Sequence, residues 1–360
     1  MANNNFLAFA IGSGANVITQ NSYAALPALG TGFQSGLAQS AQVNKVLRQS
    51  SLIAAVIGEF IADYSGQDAL DDGNITVLEN NFVLALQKLL RYKVTTPLQL
   101  YVNPSTGNDN NPGTSSGSPF KTIQAAVNAI YAKYDLNSTT ATVNLADGTY
   151  APASGLPLIS VSGSPSGTPT NGLPQISFIG NNANPQAVVL NATSANCIQA
   201  AEGAFISVSG VSISASGTGA GFQSGIGLHA VNGGFILING AVGFRTCGSW
   251  QVRSSTSSSI AFGSPYTISG GAPAHYLVDH AASIIMTTSC TVQNTPSFSN
   301  AFAVAGTGGQ LEFSGASFAG SATGTRYAVS NNAVITGTGG NQTFLPGNAA
   351  GTTALGGIYS

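Results

Sequence analysis

Five related segments carry the architecture of this chain: Ile198-Gln-Ala-Ala-Glu-Gly-Ala-Phe205, Leu228-His-Ala-Val-Asn-Gly-Gly-Phe235, Leu277-Val-Asp-His-Ala-Ala-Ser-Ile284, Val304-Ala-Gly-Thr-Gly-Gly-Gln-Leu311 and Tyr327-Ala-Val-Ser-Asn-Asn-Ala-Val334. Each reads as a short strand, a turn of small residues and the start of a second strand, with two apolar anchors seven residues apart. Successive copies begin 30, 49, 27 and 23 residues apart, and the long interval accommodates two repeats of about 25 residues. Gly203, Gly233, Ala282, Gly309 and Asn332 share the turn column, where a left-handed backbone asks for Gly or a residue that tolerates it. Short strands repeating every 20–30 residues predict a solenoid. Pairs such as Ile206/Val208 and Ile236/Ile238 would face inward, with Ser, Thr and Asn outward. The expected fold is therefore mainly β: a parallel β-helix over residues 94–360, of roughly ten coils.

Composition agrees. Of 360 residues, 45 are Gly and only 22 are Asp, Glu, Lys or Arg, and stacked neutral polar coils account for so little charge. A net charge of −2 with ten basic residues leaves no basic stripe, which argues against nucleic-acid binding. No apolar run of about 18 residues occurs, so membrane insertion is not expected. Cys197, Cys247 and Cys290 are odd in number and lack CxxC spacing, so they read as buried free thiols, with no metal site or cofactor implied. The start Met1-Ala2-Asn3-Asn4-Asn5-Phe6 lacks the basic region of a signal peptide, pointing to synthesis in a reducing cytoplasm.

Residues 1–93 hold eleven of the 22 charged residues and most of the helical periodicity, and they read as a separate small helical domain. Val46, Ile53, Ile57, Phe60 and Tyr64 form one apolar helical face, broken by Gly66 and Asp71-Asp72-Gly73. Ile75, Leu78, Phe82, Ala85 and Leu89 then recur at spacings of 3, 4, 3 and 4. That seam suits either a core helix or a short parallel oligomerisation neck. Between the helices, Asp68, Asp72, Gly73, Ile75 and Glu79 match positions of a calcium loop. Leu70 occupies a ligand position, however, and Asp or Asn at a helix start ordinarily serves as a cap. In the second domain, Phe120, Ile123, Val127, Ile130 and Tyr134 predict a helix over about 119–134 that caps the first coil.

Two sets of residues carry a family resemblance. Tyr101-Val102-Asn103, Gly107-Asn108-Asp109, Ser118-Pro119-Phe120-Lys121-Thr122-Ile123-Gln124-Ala125-Ala126-Val127 and Leu145-Ala146-Asp147-Gly148-Thr149-Tyr150 together resemble the opening of pectate-lyase-like right-handed β-helices. Ala15-Asn16-Val17-Ile18, Thr31-Gly32-Phe33-Gln34-Ser35-Gly36, Asn44-Lys45-Val46-Leu47-Arg48-Gln49-Ser50-Ser51, Phe60-Ile61-Ala62-Asp63 and Gly66-Gln67-Asp68 resemble the N-terminal region of bacteriophage tail-fibre and tailspike proteins. That resemblance implies a homotrimeric virion protein, made in the host cytoplasm. Its first domain would attach to the phage tail, baseplate or an adaptor, and its β-helix would reach the bacterial surface polysaccharide or lipopolysaccharide.

Three readings follow for function: a receptor-binding fibre without catalysis, a depolymerase of capsule or O-antigen, and a purely structural tail component. Glycoside hydrolysis needs two carboxylates at defined separation. The second domain offers Asp109, Asp135 and Asp147 near its start, then only Glu202, Asp279 and Glu312. Asp279 beside His280 and near His275 is the best acid/base cluster, and the alternative is an outward turn cluster. About three coils separate Glu202 from Asp279. Glycan binding needs only aromatic faces and neutral hydrogen-bonding groups. For that role the sequence offers residues 245–274, read as a protruding insertion carrying Arg245, Trp250, Arg253 and Tyr266.

Overall fold

A computed structural model describes residues 2–36, 39–89, 91–152, 155–217 and 224–360, without the side chains of residues 87–89. The chain divides into two compact units, Met1–Tyr92 and Lys93–Ser360.

The second unit is a parallel β-solenoid with three long sheets. The first sheet has ten strands, from Gln99–Val102 to Ile358–Tyr359; the second has seven, from Gly148–Tyr150 to Ser317–Ala319. The third has eight, from Ile159–Ser162 to Thr352–Thr353. Strands are added in coil order, so seven coils are complete, against the roughly ten expected. The difference lies in long connections early in the unit and incomplete coils at both ends. Pairing runs in register, as in Ile176–Ile206–Ile236–Ile260–Ile284–Leu311–Ile335 up the first sheet. These side chains are wholly or almost wholly buried, and each contributes about 1.5–3 kcal/mol relative to exposure. Toward the middle coils the interior becomes aromatic. Phe262 and Tyr266 lie 4.7 Å apart, Phe244 and Tyr266 5.7 Å, and Tyr276 meets Phe302 at 5.9 Å and Phe313 at 5.7 Å.

The third sheet passes to the first through one turn repeated in seven coils. Its central pairs are Glu202-Gly203, Asn232-Gly233, Thr256-Ser257, His280-Ala281, Thr307-Gly308, Asn331-Asn332 and Leu355-Gly356, all with positive φ. Two left-handed residues in sequence make a type I′ turn. Closing bonds such as Ala204 N–H to Ala201 O (3.0 Å) and Gly309 N–H to Gly306 O (3.0 Å) complete it. The turns also bond upward: Ser257 N–H donates to His280 O, and Ala281 N–H to Thr307 O.

This geometry corrects the register in two repeats. Tyr276 and Ala303, not Leu277 and Val304, continue the inward column of Ile198, Leu228, Val252 and Tyr327. The turn column therefore runs through Ala281 and Gly308 instead of Ala282 and Gly309. Strand alternation puts Leu277 on the outer face, where it packs with Ile226, Trp250 and Ala274. Residues 245–274 are also corrected: they form a regular coil, not a protruding insertion. Its strands Trp250–Ser254, Ser259–Phe262 and Tyr266–Ile268 pair above and below.

The capping helix, α5, spans Ile123–Lys133 and packs against the strands that end the first and third sheets. It begins at Ile123 because Thr122 caps it, accepting from Ala125 N–H. The Asp109 carboxylate holds that cap, accepting from the Lys121 and Thr122 amides at 2.8 Å each and from the Thr122 hydroxyl at 2.9 Å.

The first unit contains α1 (Gln20–Ala24), α2 (Ala28–Thr31), α3 (Ser40–Ser65) and α4 (Ile75–Leu89). On α3 the buried face carries Gly58, Ile61, Ala62 and Ser65, and Asn4 lies directly against Gly58. The apolar face read from sequence is instead largely open, with Ile53 64%, Ile57 42% and Tyr64 45% exposed and Val46 and Phe60 half-buried. The α4 seam is partly consumed inside the same chain. Ala85 is buried, Leu78 and Phe82 are half-buried, and the Phe82 ring sits 5.8 Å from Phe60 of α3. Ile75 is 78% exposed, and the Leu89 side chain lies outside the described residues. This packing favours the core-helix reading of the seam over a neck. In the calcium-like loop, Asp72 accepts from Asn74 N–H, and Asn74 caps α4 through Val77 N–H. Asp68 accepts from the Asn3 amide, so these side chains do local turn and cap work.

The repeated turn yields a matched test. Ala281→Gly removes a Cβ from a left-handed position and is expected to raise stability by up to about 1 kcal/mol. Gly203→Ala is expected to lower it by a similar amount, because its φ of +77° disfavours a side chain although the space around it is open. Opposite shifts in denaturation midpoint would bear this out; shifts of the same sign would refute the turn assignment.

Candidate functional site

Every carboxylate of the solenoid unit has a partner in the fold. Asp109 serves the α5 cap, Asp135 accepts from Asn137 N–H, and Asp147 accepts from the Asn181 amide. Glu202, on its left-handed turn, accepts from Asn232 Nδ2 at 2.8 Å, and Glu312 accepts from the Ser314 hydroxyl. Asp279 pairs with Arg253 Nη2 at 3.1 Å and with His280 Nδ1 at 3.0 Å.

The paired strands put Glu202 and Asp279 three coils apart, about 14 Å. Paired glycosidase carboxyls stand about 5–9.5 Å apart. Glu312 belongs to the first sheet, on the strand Gln310–Glu312. The Arg253–Asp279 pair is mostly buried, with side chains 13% and 14% exposed, while His280 stands out at 60%. The arrangement braces the outer face of the third sheet.

The other two histidines are buried. His229 approaches Asn196 and Ser255, and its pKa falls to about 4, chiefly through burial and secondarily through Arg253, with Asp279 opposing. His275 lies within the core, its pKa pushed well below the ordinary value by burial. Its protons can be assigned from its neighbours. Gln251 Nε2 donates to Arg245 O at 2.8 Å and to Gly270 O at 2.7 Å, so Gln251 Oε1 is the acceptor of His275 Nδ1–H at 2.6 Å. His275 Nε2 then accepts from the Tyr266 hydroxyl at 3.1 Å, and Tyr276 donates to Tyr266. This network satisfies polar groups in an otherwise apolar interior. It supplies no base to solvent.

The four residues proposed for glycan contact separate into three places. Tyr266 is 2% exposed, with its ring in the core network, and Trp250 is 6% exposed within the outer apolar cluster. Neither ring is available to stack on a sugar, because both are already packed against the chain. Arg253 is committed to Asp279. Arg245 lines an open groove of about 800 Å³ on the outer side of the second sheet, and Tyr266 borders the same groove while its ring is buried in the core.

The groove floor carries Thr267 and Thr291, in register with Gly243 of the coil before. One wall comes from Gln186 on the short 3-10 turn Pro185–Ala187 and from the preceding Asn182; Gln293 and Asn294 add amides from the coil beyond. A Cβ at Gly243 would lie 2.7 Å from Gln186 Nε2, so glycine there is what admits the Gln186 side chain. Gln186 Oε1 receives Arg245 Nε and Nη2 at 3.2 and 2.7 Å, and the Ser212 hydroxyl receives Nε at 2.7 Å. No carboxylate lines the groove. It can bind and orient a polar ligand, and it contains no acid/base pair. Sequence reading missed Gln186, Thr267, Thr291 and Gln293 because such residues abound in every coil; only the register brings them together.

Among the described residues no three His, Cys, Asp or Glu side chains converge as metal ligands. The three cysteines are buried free thiols. No family model matches the chain, and no curated protein matches it. Among solved structures it is similar to a GH136 lacto-N-biosidase from Eubacterium ramulus, at 11% identity and a TM-score of 0.28, over 98% of this chain and 84% of that one.

The two buried histidines make stability pH-dependent. In the unfolded chain they take protons near pH 6.5, whereas folded His229 does so only near 4 and burial holds folded His275 well below its ordinary value. The unfolded state thus binds more protons below about 6.5, and stability falls by up to about 1.4 kcal/mol per pH unit per histidine. The loss from His229 levels off near pH 4. Denaturation midpoints should drop between about pH 7 and pH 5, and the His275→Gln variant should show a shallower drop. An unchanged slope in that variant would contradict the assignment.

Proposed function

We propose that this protein is a trimeric bacteriophage tail fibre or short tailspike that contacts a bacterial surface glycan without cleaving it. The observation that carries the non-catalytic reading is the dispersal of the six solenoid carboxylates, each engaged locally, beside a groove that has neutral hydrogen-bonding walls and no acid. Oligosaccharide recognition asks for convergent amides and hydroxyls on a rigid support, and the groove offers both.

The virion assignment rests on the resemblance of the first 93 residues to tail-attachment regions. The exposed surface of the helical unit supports it: seventeen of the twenty-two exposed large apolar side chains among the described residues lie in Met1–Tyr92. A free monomer rarely leaves so much apolar surface open. Ile53, Val56 and Ile57 on α3 would be covered by second and third copies, in closed cyclic symmetry, or by a tail partner.

Two measurements test this reading. Mass determination should give three times 36.1 kDa, and labelling should place the protein on virion tails; a monomer absent from tails would sink the proposal. Incubation with surface polysaccharide of susceptible cells should release no new reducing ends or unsaturated sugars. Release of either would replace the fibre reading with that of a depolymerase.

A further inference from the structure

In a chain with so few charges, the environment of each cation is informative. Of the three arginines in the solenoid unit, Arg253 is paired with Asp279, and Arg326 donates through Nη1 to Ala349 O. Arg245 has no carboxylate within ion-pair distance among the described residues, yet it lines the open groove beside the second sheet. Its guanidinium is nonetheless fixed. Three hydrogen bonds to Gln186 and Ser212 hold Nε and one side of Nη2, and Nη1 has no protein acceptor among the described residues.

Holding the fork in place removes rotamer freedom before any ligand arrives, so less entropy is lost on binding. Gly243 contributes to this arrangement by leaving room for Gln186. The rest of the lining offers neutral groups suited to sugar hydroxyls: Thr267 and Thr291 on the floor, Asn182, Gln293 and Asn294 around it. A fixed guanidinium in a neutral, acid-free groove is matched by one kind of ligand group, a planar anion that accepts two parallel hydrogen bonds.

We propose that the groove binds an acidic saccharide, a sugar chain bearing carboxylates, with one carboxylate on Arg245 and neighbouring hydroxyls on the Thr267–Thr291 floor. This deepens the glycan-binding reading and rests on it. Gln186 and Ser212 are positioning residues that act through Arg245.

The test uses the full-length protein and matched probes: oligogalacturonate, hyaluronan oligosaccharide and sialyl-oligosaccharide, each beside its carboxyl-reduced neutral derivative. Binding is read by calorimetry and by saturation-transfer NMR. At least one acidic probe should bind, its reduced form should bind at least about tenfold more weakly, and added salt should weaken the acidic complex. R245Q should lower affinity for that probe about ten- to a hundredfold. Q293E alters an exposed position of the same groove and should weaken the acidic probe by repulsion with an unchanged denaturation midpoint; it serves if R245Q fails to fold. Equal binding of acidic and reduced probes would overturn this inference and leave glycan binding standing. Binding of an acidic probe that neither variant disturbs would overturn the site. Binding of no probe at millimolar concentration would overturn the inference at this groove, while trimer mass and tail labelling still decide the fibre reading separately.

Discussion

Stacking in register governs this molecule. Each position of a coil sits about 4.8 Å from the same position in the next, so whatever one coil presents is presented in a column. A charge repeated up a column would meet its like at about 5 Å and repel by about 3 kcal/mol at an effective dielectric near 20. Neutral side chains escape that cost and add ladders of their own. Ser207 bonds to Ser177 at 2.8 Å, Ser259 and Ser283 meet at 2.6 Å, and Ser214 donates to Asn191 at 2.9 Å. Where a carboxylate enters a column it meets an amide, as Glu202 does with Asn232. The scarcity of charge is thus a consequence of the architecture.

The same stacking explains which parts of the fold were legible in the sequence. Columns ending in Gly, such as Gly203 and Gly233, announce themselves because a left-handed turn favours glycine strongly. The coil through Val252 carries Thr256-Ser257 instead and reads as an interruption. Its turn is held by a hydroxyl: Ser258 Oγ donates to Ser255 O at 2.7 Å and accepts from Ser255 N–H at 3.0 Å. That substitution of side chain for backbone has no periodic signature. The off-by-one register at Leu277 and Val304 has a different cause. Both are apolar residues on the outer face, Leu277 packed under Trp250, so hydrophobicity alone cannot separate them from the inward column.

In the helical unit, periodicity located α3 and α4 but not their buried faces. Around Ile61, the residues that this end of α3 buries within the chain are small, Gly58, Ala62 and Ser65, and permit close approach of neighbouring segments. The larger apolar residues Ile53 and Ile57 point elsewhere. A hydrophobic stripe states that something covers a face without stating whether it is the same chain. For the groove, Arg245 and the bordering Tyr266 were legible, because rarity marks them, whereas the hydroxyls and amides around them are the background of the whole solenoid.

The groove and the buried polar network are mechanically one object. Gln251 donates to the backbone carbonyls of Arg245 and Gly270 from the inside, while His275 of the next coil holds Gln251. Both carbonyls belong to residues that line the groove. Burying a histidine, a glutamine and two tyrosines in an apolar interior is favourable only when each donor and acceptor is met, and that requirement fixes their geometry closely. The outer bonds to Gln186 and Ser212 fix the guanidinium, and the inner bond fixes the backbone that carries it. If the groove binds glycan as proposed, one guanidinium among neutral groups has little electrostatic strength to spare, so rigidity would have to supply its selectivity, and the core network lies where it supplies that rigidity.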